Sequence, residues 1–261
     1  NNLANIQLTM GHLIKAHTLH TEALEIRAAI NDERGQMLSL LGLGAVQYEC
    51  ANWPDAMKSF QQGLQIAIQL SDRTYEAILK LNIGETHLNC NRLNEAEIFF
   101  EEGIELAREL GNRRVEGLGL TTKAALDLAK GRQSDALKHA EEAKTIGYSL
   151  DNRHILGLSM VVEARALSNT IFAADAEGEG SNKQTRSLEL FQTGIQYLEE
   201  MGDRIELCRA LDAYGTFLLE QGHREEGVQA MQRAEDLRNK NRHRGVDNND
   251  PTLNNQSTIR R

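Results

Sequence analysis

The sequence predicts an all-α protein, built as a solenoid of stacked helix pairs. Three observations carry that prediction. An Asp or Asn returns at Asp32, Asp72, Asn112, Asn152 and Asp203, three times after 40 residues and then after 51. Small side chains return in the same register. Apolar residues recur at helical spacing, with no strand-like alternation.

Each first helix carries a small residue at an equivalent place: Ala4, Gly44, Gly84, Ala124, Ala164 and Gly215. Each second helix opens with another: Ala16, Ala56, Ala96, Ala136, Ser187 and Gly227. A third column is Ala23, Gly63, Gly103, Ala143, Gly194 and Ala234. Paired helices whose axes lie about 8–10 Å apart need short side chains where they cross. Larger residues fill the space between, with Phe60, Phe100, Phe191 and Met231 in one column. Ile26, Ile66, Leu106, Ile146, Tyr197 and Leu237 form another. Asn94 and Ser134 share a register suited to capping second helices, and Pro54 falls in a first turn, where its missing N–H costs little. Gly111 and Gly202 close second helices, and the Asp or Asn that follows can start the next first helix. About six pairs are expected over residues 1–238, the first of them truncated.

Charge is uneven. The chain carries −9 overall, yet Arg238, Lys240, Arg242, Arg244, Arg260 and Arg261 face only Asp247 and Asp250 at the end. An acidic body argues against nucleic acid as a partner, because phosphate binding needs a basic face. Residues 239–261 are poor in apolar side chains and read as a disordered basic tail. Residues 169–185 contain an acidic, glycine-rich run (Asp175 to Asn182) that reads as a mobile loop, or else as a gate over one end of the groove or a docking segment, with Ile171 and Phe172 either continuing the helix or tucking into the superhelix. No apolar run is long enough to span a membrane, and no signal peptide is visible. Cys50, Cys90 and Cys208 form no framework, which fits a reducing, cytoplasmic setting. The chain opens on Asn1 inside an amphipathic pattern, as a piece of something longer would.

Gly84, Ala96, Phe100 and Gly103, like Gly44, Ala56, Phe60 and Gly63, resemble the tetratricopeptide-repeat (TPR) pattern. The 40-residue period with its Ser71-Asp72-Arg73, Gly111-Asn112-Arg113 and Gly202-Asp203-Arg204 turns is similar to the long-helix branch. That branch includes kinesin light chains, Pins-type adaptors and sensor arms of bacterial signalling ATPases. The resemblance implies a right-handed superhelix whose concave wall is made by the first helices. Carried onto this chain, the wall holds Leu41, Ala45 and Tyr48; Leu81, Asn82 and Glu85; Thr121, Thr122 and Ala125; Val161, Val162 and Arg165; and Asp212, Ala213 and Thr216. Its middle is short of charge, which suits an apolar peptide face better than an acidic tail. The carboxylate clamp of some relatives is missing, because Leu41, Leu81 and Thr121 stand where Lys is wanted. Asn82 and Asn2 keep one element of an asparagine ladder, while Gly42, Thr122, Val162 and Ala213 break it.

No catalytic constellation emerges. Gly42-Leu43-Gly44 and Gly117-Leu118-Gly119 follow no strand, so they read as helix-packing positions rather than a dinucleotide loop. His17, His20 and Glu22 read as solvated helix residues, with no metal motif nearby. Cys50 and Cys90 sit one repeat apart, too far for a disulfide, and read as semi-buried thiols. The expectation is a non-enzymatic scaffold without cofactor or metal that holds a protein or peptide in its groove. The alternative is a C-terminal sensor arm of a larger signalling ATPase, kinase or transcription activator.

Overall fold

The computed structural model describes residues 1–171 and 179–244. Twelve α-helices and no strand occur among them: α1 Asn2–Thr9, α2 Leu13–Ala29, α3 Glu33–Glu49, α4 Trp53–Gln69, α5 Arg73–Asn89, α6 Leu93–Glu109, α7 Arg113–Ala129, α8 Gln133–Ser149, α9 Arg153–Ile171, α10 Glu179–Met201, α11 Arg204–Glu220 and α12 Arg224–Arg244. The period has a simple origin. From α2 to α8 every helix has 17 residues, and three residues join it to the next.

Those three-residue turns share one backbone recipe. The middle residue takes a left-handed conformation in each: Gly11, Asn31, Ala51, Ser71, Asn91, Gly111, Gly131, Asp151 and Gly222, as does Gly202 in the two-residue joint between α10 and α11. At Asn31 the N–H bonds the carbonyl of Ala28, and the next N–H, of Asp32, bonds that of Arg27. Helix-end carbonyls are thereby satisfied within the turn. The third turn residue then caps a first helix. Asp32, Asp72, Asn112, Asn152 and Asp203 accept hydrogen bonds from the N–H groups of Gly35, Tyr75, Val115, Ile155 and Glu206. Second helices differ. Arg92 and Arg132 hold the N-cap positions of α6 and α8 without a side-chain cap, so Asn94 and Ser134 lie inside the first turn and do not cap. The turn fixes the helix start two residues before the place expected for it.

The small columns do what close packing requires. A Cβ on Gly44 would stand 2.5 Å from the Phe60 ring, and one on Gly84 would stand 2.7 Å from that of Phe100. Phe60, Phe100 and Phe191 are among the largest fully buried side chains. Successive first helices also pack on one another, α3 on α5, α5 on α7, α7 on α9 and α9 on α11, whereas successive second helices do not come so close. A stack that is tighter along one side must curve toward it, so the first helices line the concave wall.

Helix α9 continues through Ile171, one of the two courses open to it, and α10 begins at Glu179; Phe172 and the rest of the acidic run up to Gly178 lie outside the described residues. Two expectations need correction. Helix α12 likewise runs to Arg244, six residues into the segment read as a tail, aided by i, i+4 bonds such as Asn239 to Glu235. Finally, Cys50 is exposed rather than semi-buried, while Cys90 is half-buried and Cys208 buried.

Candidate functional site

On each first helix, side chains at i, i+3 and i+7 share the stripe that faces the concavity. In α3 these are Leu38, Leu41, Ala45 and Tyr48, all half-buried. Stepping by one repeat from Leu38 gives Ile78, Leu118 and Leu158, again half-buried and apolar. In α11 the same register holds Arg209. This column lies one turn before the residues chosen from the sequence, which is why it was missed.

Of the residues expected on the wall, several are occupied elsewhere. Leu81, Thr121, Val161 and Val162 are buried. Leu81 fills the space over Gly103 and Gly119, and the Thr121 hydroxyl donates to the carbonyl of Gly117 at 3.0 Å. They belong to the packing between neighbouring helices and offer little surface. The other positions keep solvent contact: Leu41, Ala45, Tyr48, Asn82, Glu85, Thr122, Ala125, Asp212 and Ala213 are half-buried, and Arg165 and Thr216 are exposed. Asn82 and Thr122 donate to carbonyls of their own helices, Ile78 and Gly119. Thr216 donates to the carbonyl of Asp212, whose carboxylate pairs with Arg238.

The groove is drawn together at one end. Arg209 reaches from α11 to α3, where its Nη2 donates to both carboxylate oxygens of Glu49 at 2.9 Å. Its guanidinium also lies 5.7 Å from the centroid of the Tyr48 ring. On the other side of that ring, Asn89 of α5 donates to the Tyr48 hydroxyl at 2.5 Å, and Trp53 packs edge-on at 5.2 Å. Arg209 also pairs with Glu206 on its own helix. Burial, opposed by Arg209, pushes the Glu49 carboxyl up, and burial together with Glu85 pushes the Tyr48 hydroxyl up. The Glu85 carbonyl accepts from Asn89, while the Glu85 carboxylate has no hydrogen-bond or ion-pair partner among the described residues. It keeps some solvent contact along the groove while protein surrounds it elsewhere; that burial, reinforced by the negative charge of Glu206, pushes it up to about 7.

A second charged region lies on the outer side, where the curvature parts α6 from α8. A cleft of about 550 Å³ there is lined by Glu97, Lys123, Asp127, Arg132 and His139, among others. Glu97 accepts from Lys123, Lys130 and Arg132, and the Lys130 bond, followed by those of the other two, holds its carboxyl near 2 against the effect of burial. The buried Asp127 accepts from Arg132 at 2.5 Å and pairs with His139 Nδ1 at 2.7 Å. Every charge in this set has an opposite within reach, so it serves as a stitch between repeats. No group of three or more His, Cys, Asp or Glu is placed to hold a metal ion among the described residues. His17 and Glu22 are exposed, but His20 is fully buried against Gly42, contrary to its reading as a solvated side chain. No described helix is long and apolar enough to cross a membrane.

Residues 77–110, which take in most of α5 and α6, match the family model of the tetratricopeptide repeat. One tetratricopeptide repeat is thus matched, over 77–110. No curated protein matches this chain in sequence. Among solved structures, the apo form of RapI superposes with a TM-score of 0.71 at 13% identity, over 93% of this chain and 82% of that one. A Rap protein complexed with Competence and Sporulation Factor gives 0.71 at 13% identity, over 92% of this chain and 62% of that one. The Rap conjugation gene regulator of plasmid pLS20, in complex with the Phr* peptide, gives 0.62 at 13% identity, over 93% and 73%. At such identities the likeness establishes a shared TPR-like solenoid fold.

Proposed function

We propose that this TPR solenoid is a protein-interaction scaffold that holds a peptide, or an extended segment of a partner protein, along its concave wall. The observation that carries the reading is the column Leu38, Ile78, Leu118 and Leu158. It is an apolar stripe left half-open to the groove across four repeats, with polar groups set beside it. Apolar surface supplies affinity and neighbouring polar groups supply register, as in other extended-peptide grooves. The pLS20 Rap regulator, a structural neighbour, is in complex with a peptide, which supports the same use of this fold.

Site-specific photocrosslinking tests the proposal. A benzophenone side chain is placed at Ala125, in the groove, or at Lys138, exposed on the second helix α8. A random heptapeptide library is then added to each protein. Crosslinks concentrated at position 125 are expected. Equal labelling at both positions would overturn the reading.

A further inference from the structure

The stripe that carries Ala45 on α3 repeats as Glu85, Ala125 and Arg165 on α5, α7 and α9. Two opposite charges therefore occupy one register position two repeats apart, with a single small residue between them. Among the described residues, the side chains of Glu85 and Arg165 make no ion pair and no hydrogen bond, although Glu97, Lys123, Asp127 and Arg132 of the outer stitch are all paired. Glu85, half-buried, loses part of its hydration, which raises its proton affinity; Arg165 stays open to solvent, with the protein around it lowering its proton affinity. Ionic groups that are partly desolvated and unpaired in the free protein carry a cost that an opposite charge on a ligand removes.

From this arrangement we infer that the groove selects a dipolar peptide segment, with a cationic side chain or amino terminus held at Glu85 and a carboxylate held at Arg165. The inference rests on the groove reading above and adds its chemistry. The spacing follows from the stack. Neighbouring first helices stand about 8–10 Å apart, so two steps followed along the curved wall cover about 16–20 Å. An extended chain advances about 3.3 Å per residue, which places the two ligand charges about five or six residues apart. Ala125 and Thr122, midway, leave room for the backbone to pass. Arg165 is suited to the anionic end because its planar fork can grip a carboxylate with two hydrogen bonds. At the other end Glu85 faces Glu49 and Glu206, with only Arg209 opposing them, so the local field favours an incoming cation.

Competitive capture of two peptide libraries tests this. Both are acetylated and amidated hexapeptides with four randomised central residues. One has Arg first and Glu last, and the other has Gln at both ends. Mass spectrometry of peptides retained by the immobilised protein is expected to show the Arg/Glu set enriched about tenfold or more, the order of one good charge pair. Glu85→Gln and Arg165→Gln should each remove that enrichment. Arg165→Glu should redirect preference to a third library with Arg at both ends. Circular dichroism of each variant confirms the fold, and the peptides retained by the wild type decide the matter whatever a variant does. Equal retention of the Arg/Glu and Gln/Gln sets would overturn the dipolar ligand while leaving the groove reading in place. Retention of no library would overturn both.

Discussion

Arg209 and Glu49 stand 160 residues apart in the chain, yet their side chains share two hydrogen bonds of 2.9 Å across the groove. The backbones of α3 and α11 do not pack on each other, so long side chains alone span the gap. Surface pairs of this kind contribute about 0–1 kcal/mol, and Arg209→Ala should change the melting temperature little. Its effect belongs to shape. Small-angle scattering should report a larger radius of gyration for Arg209→Ala than for the wild type, and identical curves would show that the bridge does not hold the curvature.

Ala51 adopts φ +56° in the turn between α3 and α4, at an exposed position. A left-handed conformation costs a residue with a Cβ about 1–2 kcal/mol, and glycine avoids the clash. Ala51→Gly should therefore stabilise the protein by about 0.5–1 kcal/mol once the added freedom of the unfolded chain is set against it. Urea unfolding of the two proteins measures the difference. A lower midpoint for the glycine variant would contradict the account.

Two titrating groups, one buried and one half-buried, should oppose each other in the pH profile. His20 is fully buried with neither ring nitrogen partnered, and burial, aided by nearby positive charge, lowers it to about 4. Its unfolded form takes up a proton below about 6.5, so stability falls as pH drops from there towards 4. Glu85, raised to about 7 mainly by burial, acts in the other direction. Its contribution is complete below the unfolded carboxylate value and is lost as pH rises through 7. Removing one exposes the other. His20→Leu should become less stable as pH rises from 5 to 7, and Glu85→Gln should become more stable over the same interval. Thermal melts at three pH values would show it, and parallel profiles for the two variants would sink the assignment.

Ile26 is 63% exposed, whereas its column mates Leu106 and Ile146 are 7% and 2% exposed. Leu3, Ile6 and Ile14 are also open on α1 and α2. In a stack where each pair leans on its neighbours, a pair with so much apolar surface uncovered opens first. Amide exchange across residues 3–30 should outpace that across 80–110 by an order of magnitude or more. Equal protection would place the weak point elsewhere.

Most of the architecture could be read from residue types because each repeat is a local solution. Asp32, Asp72 and Asn112 cap through a neighbour three residues on, and Gly44 and Gly84 meet aromatic rings sixteen residues away. The site was harder to read. Register places Glu85, Tyr48 and Arg165 where they keep solvent contact, but Leu81, Thr121, Val161 and Val162 share nearly the same register and are buried. A rotation of one residue about the helix axis separates wall from core, and periodicity does not resolve that angle. Arg209 escaped because its place in the groove depends on curvature summed over four repeats. Asn94 and Ser134 misled because a short turn sets the helix start, whatever capping chemistry lies nearby.

The twenty-residue cadence of helix plus turn has a consequence for engineering. Excising residues 113–152 would fuse two matching junctions, Asn112 to Arg153, without disturbing the phase of anything downstream. The shortened stack would bring Glu85 and Arg165 onto adjacent hairpins, so their separation is a graduated quantity, deleted or duplicated one repeat at a time. For the proposed peptide ligand, the preferred length should shorten with the copy number while the side chains at each end stay the same.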